Sequence, residues 1–208
     1  MKAFNKEYCR PLSQGSDRLT WSVLFLILLL PNISRATDDS VGLGFRFSDI
    51  NGKSYTLSAP AECQALVVIF VTTDCPIANS YQPALARMYQ EFHKKGFEFA
   101  LVHEGPDQSI DQLKEHSKEY AVPFSVVMDV DHSVARAVKA TKTPEVFVFG
   151  KAGEVHYQGR IDNLHQALGK KRAKATRDDL QIALMELESG KPISVPKTEA
   201  VGCSIQLK

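Results

Sequence analysis

The run "ALVVIFV", residues 65–71, is apolar at every position and rich in β-branched side chains. A half-buried strand would alternate with polar residues, and this run has none, so both of its faces need cover. That places it inside a sheet with a layer on each side. The segment after it supplies one layer, because Leu85, Met88, Tyr89 and Phe92 recur at i, i+3, i+4 and i+7, an amphipathic helix. Pro83 should kink that helix or mark its first turn.

The rest of the chain continues the alternation. "FRFSDINGKSYTL" reads as two short strands around Asn51-Gly52. "FEFALVH" is a strand, and Ser109 with Gln112 forms a capping-box pattern opening a helix to about Tyr120. "FSVVMD" is a further strand, with a short helix near residues 132–138. "EVFVF" and "EVHYQG" are strands joined by a turn at Gly150–Gly153. Thr176 and Asp179 suggest the start of a last helix with Leu180, Leu184 and Leu187 on one face. The segment 192–208 shows no periodicity. This order predicts an α/β fold, a mixed central sheet flanked by helices, with an N-terminal β-hairpin.

Residues 1–36 read as an export signal, with an uncleaved anchor as the alternative. Lys2, Lys6, Arg10 and Arg18 precede the apolar "WSVLFLILLL", Pro31 ends it, and Ser34 and Ala36 offer a cleavage site before Thr37. The apolar run is about 10 residues, short of the roughly 20 that span a bilayer, so no stable membrane span is expected after cleavage. The mature chain then divides into a domain at 37–190 and a tail at 191–208, in a periplasmic or other extracytoplasmic setting. With 25 basic and 24 acidic residues, the charge balance gives no reason to expect nucleic acid as a partner. The basic run "GKKRAKATR", residues 169–177, reads as a solvated loop or helix approach.

Removing the signal takes Cys9 and leaves Cys63, Cys75 and Cys203. In an oxidising compartment that allows one intrachain pair and one cysteine over. Cys75 follows the buried strand and precedes a helix, so its sulfur should sit at a helix N-terminus, where unpaired N–H groups favour thiolate. Position 78, where a C-x-x-C pair would close, is Ala78. Thr143-Pro144 stands just before an apolar strand, where proline is allowed and cis is affordable.

From about Phe45 to Ser189 the chain resembles the thioredoxin-like superfamily, in the redoxin branch that includes the peroxiredoxins of AhpC/TSA type. The resemblance rests on "ALVVIFV" followed by Cys75-Pro76, on Pro83 in the next helix, on Thr143-Pro144 before a strand, and on the closing hairpin. It implies a cis Thr143-Pro144 bond facing Cys75. The spacing from Phe70 to Cys75 matches the thioredoxin nucleophile. Thr72 and Pro76 match a peroxiredoxin pattern around Cys75, with Val68 where that pattern has proline.

The chain looks most like exported redoxins whose motif runs Asp-Cys-Pro-Ile-Ala-Asn. The resemblance implies an oxidoreductase exchanging disulfides through Cys75, with thiols and disulfides of proteins or small molecules as partners and no cofactor. Such chemistry needs a resolving thiol, for which Cys203 is the candidate, and Gly202 would ease its approach. A structural 63–203 bridge is the alternative, with Cys63 otherwise a small buried residue. A thiol-dependent peroxidase with an antioxidant role, acting on hydroperoxides, is a second reading. A non-enzymatic binding or copper-handling module is a third, although Asn79 stands where the Sco-type copper-delivery proteins have their second cysteine and the six histidines do not cluster. His103 and Glu104 end a strand where ligands bind in open α/β folds, as proton partners or as ordinary polar residues. Arg160 and Asp162 read as a salt bridge with each other.

Overall fold

The computed structural model describes residues 45–207, so the expected signal segment and Cys9 lie outside the described residues. A hairpin opens the fold: β1 (Arg46–Ser48) pairs antiparallel with β2 (Ser54–Thr56). Its turn uses Gly52 at φ 84°, a left-handed conformation that glycine adopts without strain. β3 (Ala65–Val71) is buried at every position, as its unbroken apolar run requires.

Behind β3 comes α1 (Pro76–Phe92), which starts with proline at its first position and carries Pro83 within it rather than in its first turn. A proline at N1 suits a helix start, whereas Pro83 can donate no hydrogen bond to the carbonyl of Asn79. A short 3₁₀ turn and Gly96 lead into β4 (Phe97–Glu104). α2 (Ile110–Glu119) has the expected reciprocal cap: Gln112 N–H donates to Ser109 Oγ, and Ser109 N–H to Gln112 Oε1. β5 (Ser125–Asp129), α3 (Ser133–Val138), β6 (Lys142–Thr143), β7 (Glu145–Phe149) and β8 (Val155–Gly159) follow.

The central sheet has the order β5-β4-β3-β7-β8. β3, β4 and β5 run parallel, while β7 and β8 run antiparallel, so the sheet is mixed. Side chains leave β3 alternately. Val67, Ile69 and Val71 join Leu85, Met88 and Phe92 of α1 on one face. Leu66, Val68 and Phe70 face the hairpin residues Phe47 and Tyr55 and, from α3, Val134 and Val138. Burying a side chain of this size stabilises by about 1.5–3 kcal/mol, so β3 anchors both layers.

Beyond β8 the structure departs from the sequence reading in three places. The basic run is not a plain loop: β9 (His165–Ala167) and β10 (Lys170–Lys171) form a small antiparallel ribbon. The last helix, α4 (Asp179–Glu188), begins after Thr176, which instead takes a hydrogen bond from Asn163 Nδ2 (2.8 Å). Arg160 and Asp162 do not pair. Arg160 and Arg177 both grip the buried Asp179, at 2.7 and 2.6 Å, and Asp162 accepts from the Tyr81 hydroxyl. Among the described residues no helix is long and apolar enough to cross a membrane.

The aperiodic tail turns back across the sheet. Gln158 N–H donates to the Pro196 carbonyl and Thr198 N–H to the Gln158 carbonyl, both at 2.9 Å. Gly159 makes this possible, since a Cβ there would overlap Thr198. The tail then forms β11 (Cys203–Ser204), antiparallel to β6, with Cys203 opposite Thr143.

Candidate active site

Cys75 is the N-cap residue of α1, with extended backbone, and its carbonyl accepts the first helical bond from Asn79 N–H (3.0 Å). Its own N–H reaches the Thr72 carbonyl at 3.4 Å. The bond between Thr143 and Pro144 is cis. The Thr143 carbonyl lies 3.1 Å from Cys75 Sγ and accepts from it when the thiol is protonated. Cys203 Sγ stands 2.9 Å from Cys75 Sγ and donates to it. Three of the expected positions, Cys75, Thr143 and Cys203, therefore meet at one point, Pro144 adjoins them, and Thr72 lies on the loop beside it. Cys63 is buried at the other end of β3, in the wall of a separate 290 Å³ cleft beside the hairpin.

Two features deliver Cys203. Gly202 lies so close to β6 that a Cβ would overlap the Thr143 carbonyl, and the next buried side chain, Ile205, is fixed by its N–H bond to the Thr141 carbonyl (3.0 Å). β6 itself is moored by Glu145. This buried carboxylate accepts from Thr141 N–H (2.7 Å), Lys142 N–H (3.2 Å) and the Thr141 hydroxyl on one oxygen, and from Gln158 Nε2 (3.0 Å) on the other. Reading along the chain misses Glu145, although an acid opening an otherwise apolar strand is a mark of a buried partner.

The two sulfurs differ in acidity. Burial works to raise the Cys75 thiol, but hydrogen bonding from the Cys203 side chain, then from the Ala78 and Cys203 backbone, and the neighbouring Thr143 outweigh it and bring it below the ordinary thiol value. Cys203 goes the other way, pushed up to about 11 by burial and by the Cys75 sulfur. In the singly deprotonated pair the proton therefore sits on Cys203 and the thiolate on Cys75. Cys75 is only 1% exposed, so its sulfur lies beneath the tail.

A cleft of about 880 Å³ opens beside the pair, lined in part by Thr72, Asp74, Glu104, His132 and Cys203. Neither His103 nor Glu104 makes a hydrogen bond to the thiols. Glu104 pairs with His132 Nδ1 at 3.0 Å, and burial raises its carboxyl above the usual range, with Asp129 and Asp74 adding to the shift against the pull of His132. His103 is fully buried against His116, ring centroids 4.9 Å apart. Burial, with His116 adding, holds it down to about 3, so it stays neutral. Among the described residues no three potential ligands from histidine, cysteine or acid side chains converge on a metal position.

Comparison with known proteins bears on the fold and the family. A thiol-disulfide oxidoreductase, ResA of Bacillus subtilis (strain 168), is 30% identical over 111 residues, 53% of this chain and 60% of that protein, so the chain spans about three-fifths of its curated relative. An uncharacterised conserved protein from Geobacillus kaustophilus superposes with a TM-score of 0.67 at 24% identity, over 79% of this chain and 88% of that one. A secreted disulfide oxidoreductase of Mycobacterium tuberculosis gives a TM-score of 0.52 at 14% identity, over 71% and 98%. These structures share the thioredoxin-like fold. The AhpC/TSA family profile matches residues 41–158, more than half of the chain, and the protein belongs to that family.

Proposed function

We propose that this protein exchanges thiols and disulfides through Cys75, with Cys203 as its resolving thiol. The observation that carries the reading is the 2.9 Å approach of the two sulfurs, at a helix N-terminus and on a strand-paired tail. Their order of acidity supports Cys75 as the nucleophile. The Cys75 thiolate attacks one sulfur of a partner disulfide, that S–S bond breaks, and the departing partner thiolate takes up a proton. Cys203 then loses its proton and attacks Cys75 Sγ, releasing the second partner thiol and leaving a 75–203 disulfide. Two electrons have passed to the partner, and an external dithiol restores the pair.

A second reading draws support from the burial of Cys75, which a small molecule reaches more readily than a protein does. In it Cys75 attacks a hydroperoxide, giving a sulfenic acid and an alcohol or water. Cys203 condenses with the sulfenic acid, expelling water, to the same disulfide. Export through residues 1–36, the domain at 37–190 and the tail at 191–208 belong to the proposal too. Peptide mapping of the protein with and without dithiothreitol tests the shared step, and a 63–203 bridge instead would sink it. Cys203→Ser should accumulate a mixed disulfide at Cys75 with a disulfide substrate. Hydrogen peroxide turnover with a thiol donor, abolished by Cys75→Ser, would instead select the peroxidase.

A further inference from the structure

Asn79 holds the segment before the nucleophile at two points. Its backbone N–H bonds the Cys75 carbonyl at 3.0 Å, and its Nδ2 donates to the Thr73 carbonyl at 2.8 Å. A further backbone bond in that turn, Cys75 N–H to the Thr72 carbonyl, is 3.4 Å and correspondingly weak. With its nitrogen committed to a carbonyl, the amide must turn Oδ1 outward, and Oδ1 meets His116 Nε2 at 3.0 Å. His116 therefore has to donate from Nε2. Burial lowers its basicity, so it is neutral, in the Nε2–H tautomer, with Nδ1 buried and without a hydrogen-bond partner among the described residues. The ring is 6% exposed and wedged between His103 and Tyr120. α2 thus grips the nucleophile loop through an oriented amide.

We infer that Asn79 is a positioning residue for Cys75, and that His116 acts through it by fixing the amide. The inference rests on the reading of Cys75 and Cys203 as a redox pair. Without the amide, the Thr73 carbonyl is released and the turn that aims Cys75 Sγ at Cys203 keeps only its backbone bonds. Displacement of a reacting atom by about 1 Å typically costs on the order of a hundredfold.

The test titrates the 75–203 disulfide of the full-length protein against dithiothreitol, with peptide mapping to assign the bond. Asn79→Ala should lower the effective concentration of Cys203 at Cys75 by about tenfold or more. His116→Ala should lower it in the same direction, and His116→Gln, which still offers an N–H to Oδ1, should restore it. Nitrogen-15 shifts of the His116 ring should report the Nε2–H tautomer in the wild type. An unchanged equilibrium in Asn79→Ala alongside a lowered melting temperature would show the amide to be structural only. If Asn79→Ala does not fold, the His116 pair decides: equal equilibria for the alanine and glutamine variants overturn the inference. If the wild type forms no 75–203 disulfide, the redox reading itself fails.

Discussion

Gly202→Ala is the sharpest perturbation of the sulfur pair, because the requirement at this position is space. The added Cβ would overlap the oxygen and carbon of the Thr143 carbonyl, both main-chain atoms that no side-chain rotation can clear. β6 cannot retreat easily, being moored by Glu145 and continuous with β7 in the sheet. So β11 lifts. It gives up the burial of Ile205, about 1.5–3 kcal/mol, and the hydrogen bond to the Thr141 carbonyl, about 1 kcal/mol. The tail remains tethered at Thr198, which bonds Gln158, Tyr157 and Arg160. Cys203 therefore stays near but unaligned, and its effective concentration at Cys75 should fall by roughly 10²-fold, about 2.7 kcal/mol. The same change removes the Cys203 hydrogen bond, the largest of the effects that depress the Cys75 thiol, so its titration should move upward. Dithiothreitol titration measures the first effect and the pH profile of iodoacetamide alkylation the second. Ser204→Ala, which loses an exposed bond to Lys142, should stay within about 0.5 kcal/mol. A Gly202→Ala protein with both measurements unchanged would refute the account of how the tail docks.

Other perturbations read different parts of the fold. Glu145→Ala leaves the Thr141 and Lys142 N–H groups without their acceptor at about 1–3 kcal/mol each, so Cys203 should alkylate faster than in the wild type while the central sheet survives by circular dichroism. His103 is held at about 3 against an ordinary 6.5, so the unfolded chain binds a proton that the native state refuses as pH falls through that window. Stability should drop on the acid side, and His103→Leu should remove about 1.4 kcal/mol per pH unit of that slope in urea melts between the two values. Asp179→Asn strips the charge that both Arg160 and Arg177 hold, and should cost about 2–4 kcal/mol by denaturant unfolding.

What could be read along the chain was whatever leaves a side-chain signature. β3 announced itself because it is apolar at every position, as burial on both faces favours, and Ser109 with Gln112 marked α2 because a capping box needs those two types at that spacing. Cys75, Thr143 and Pro144 were placed by the elements around them. The course of the tail was not legible: β11 is held by backbone bonds and by the missing Cβ of Gly202, and neither creates a hydrophobic period. Contacts whose partner depends on how a helix is rotated over the sheet were hidden as well. Arg160 found Asp179 in α4 rather than nearby Asp162, and His116 of α2 met Asn79 of α1. The β9–β10 ribbon escaped because all of its residues but His165 are exposed, which leaves no alternation to detect.

The separation of the two sulfurs, 128 positions apart, also has a meaning in time. A ribosome adding about 5–20 residues per second needs roughly 6–25 s to travel from Cys75 to Cys203. For that interval the first thiol exists without the strand that later covers it. Cys203 is also the strongest of the groups that lower the Cys75 thiol, so the sulfur is made uncovered first and gains its full activation only when its shield arrives. Any oxidant or stray disulfide met in that interval reaches Cys75 before Cys203 can compete for it.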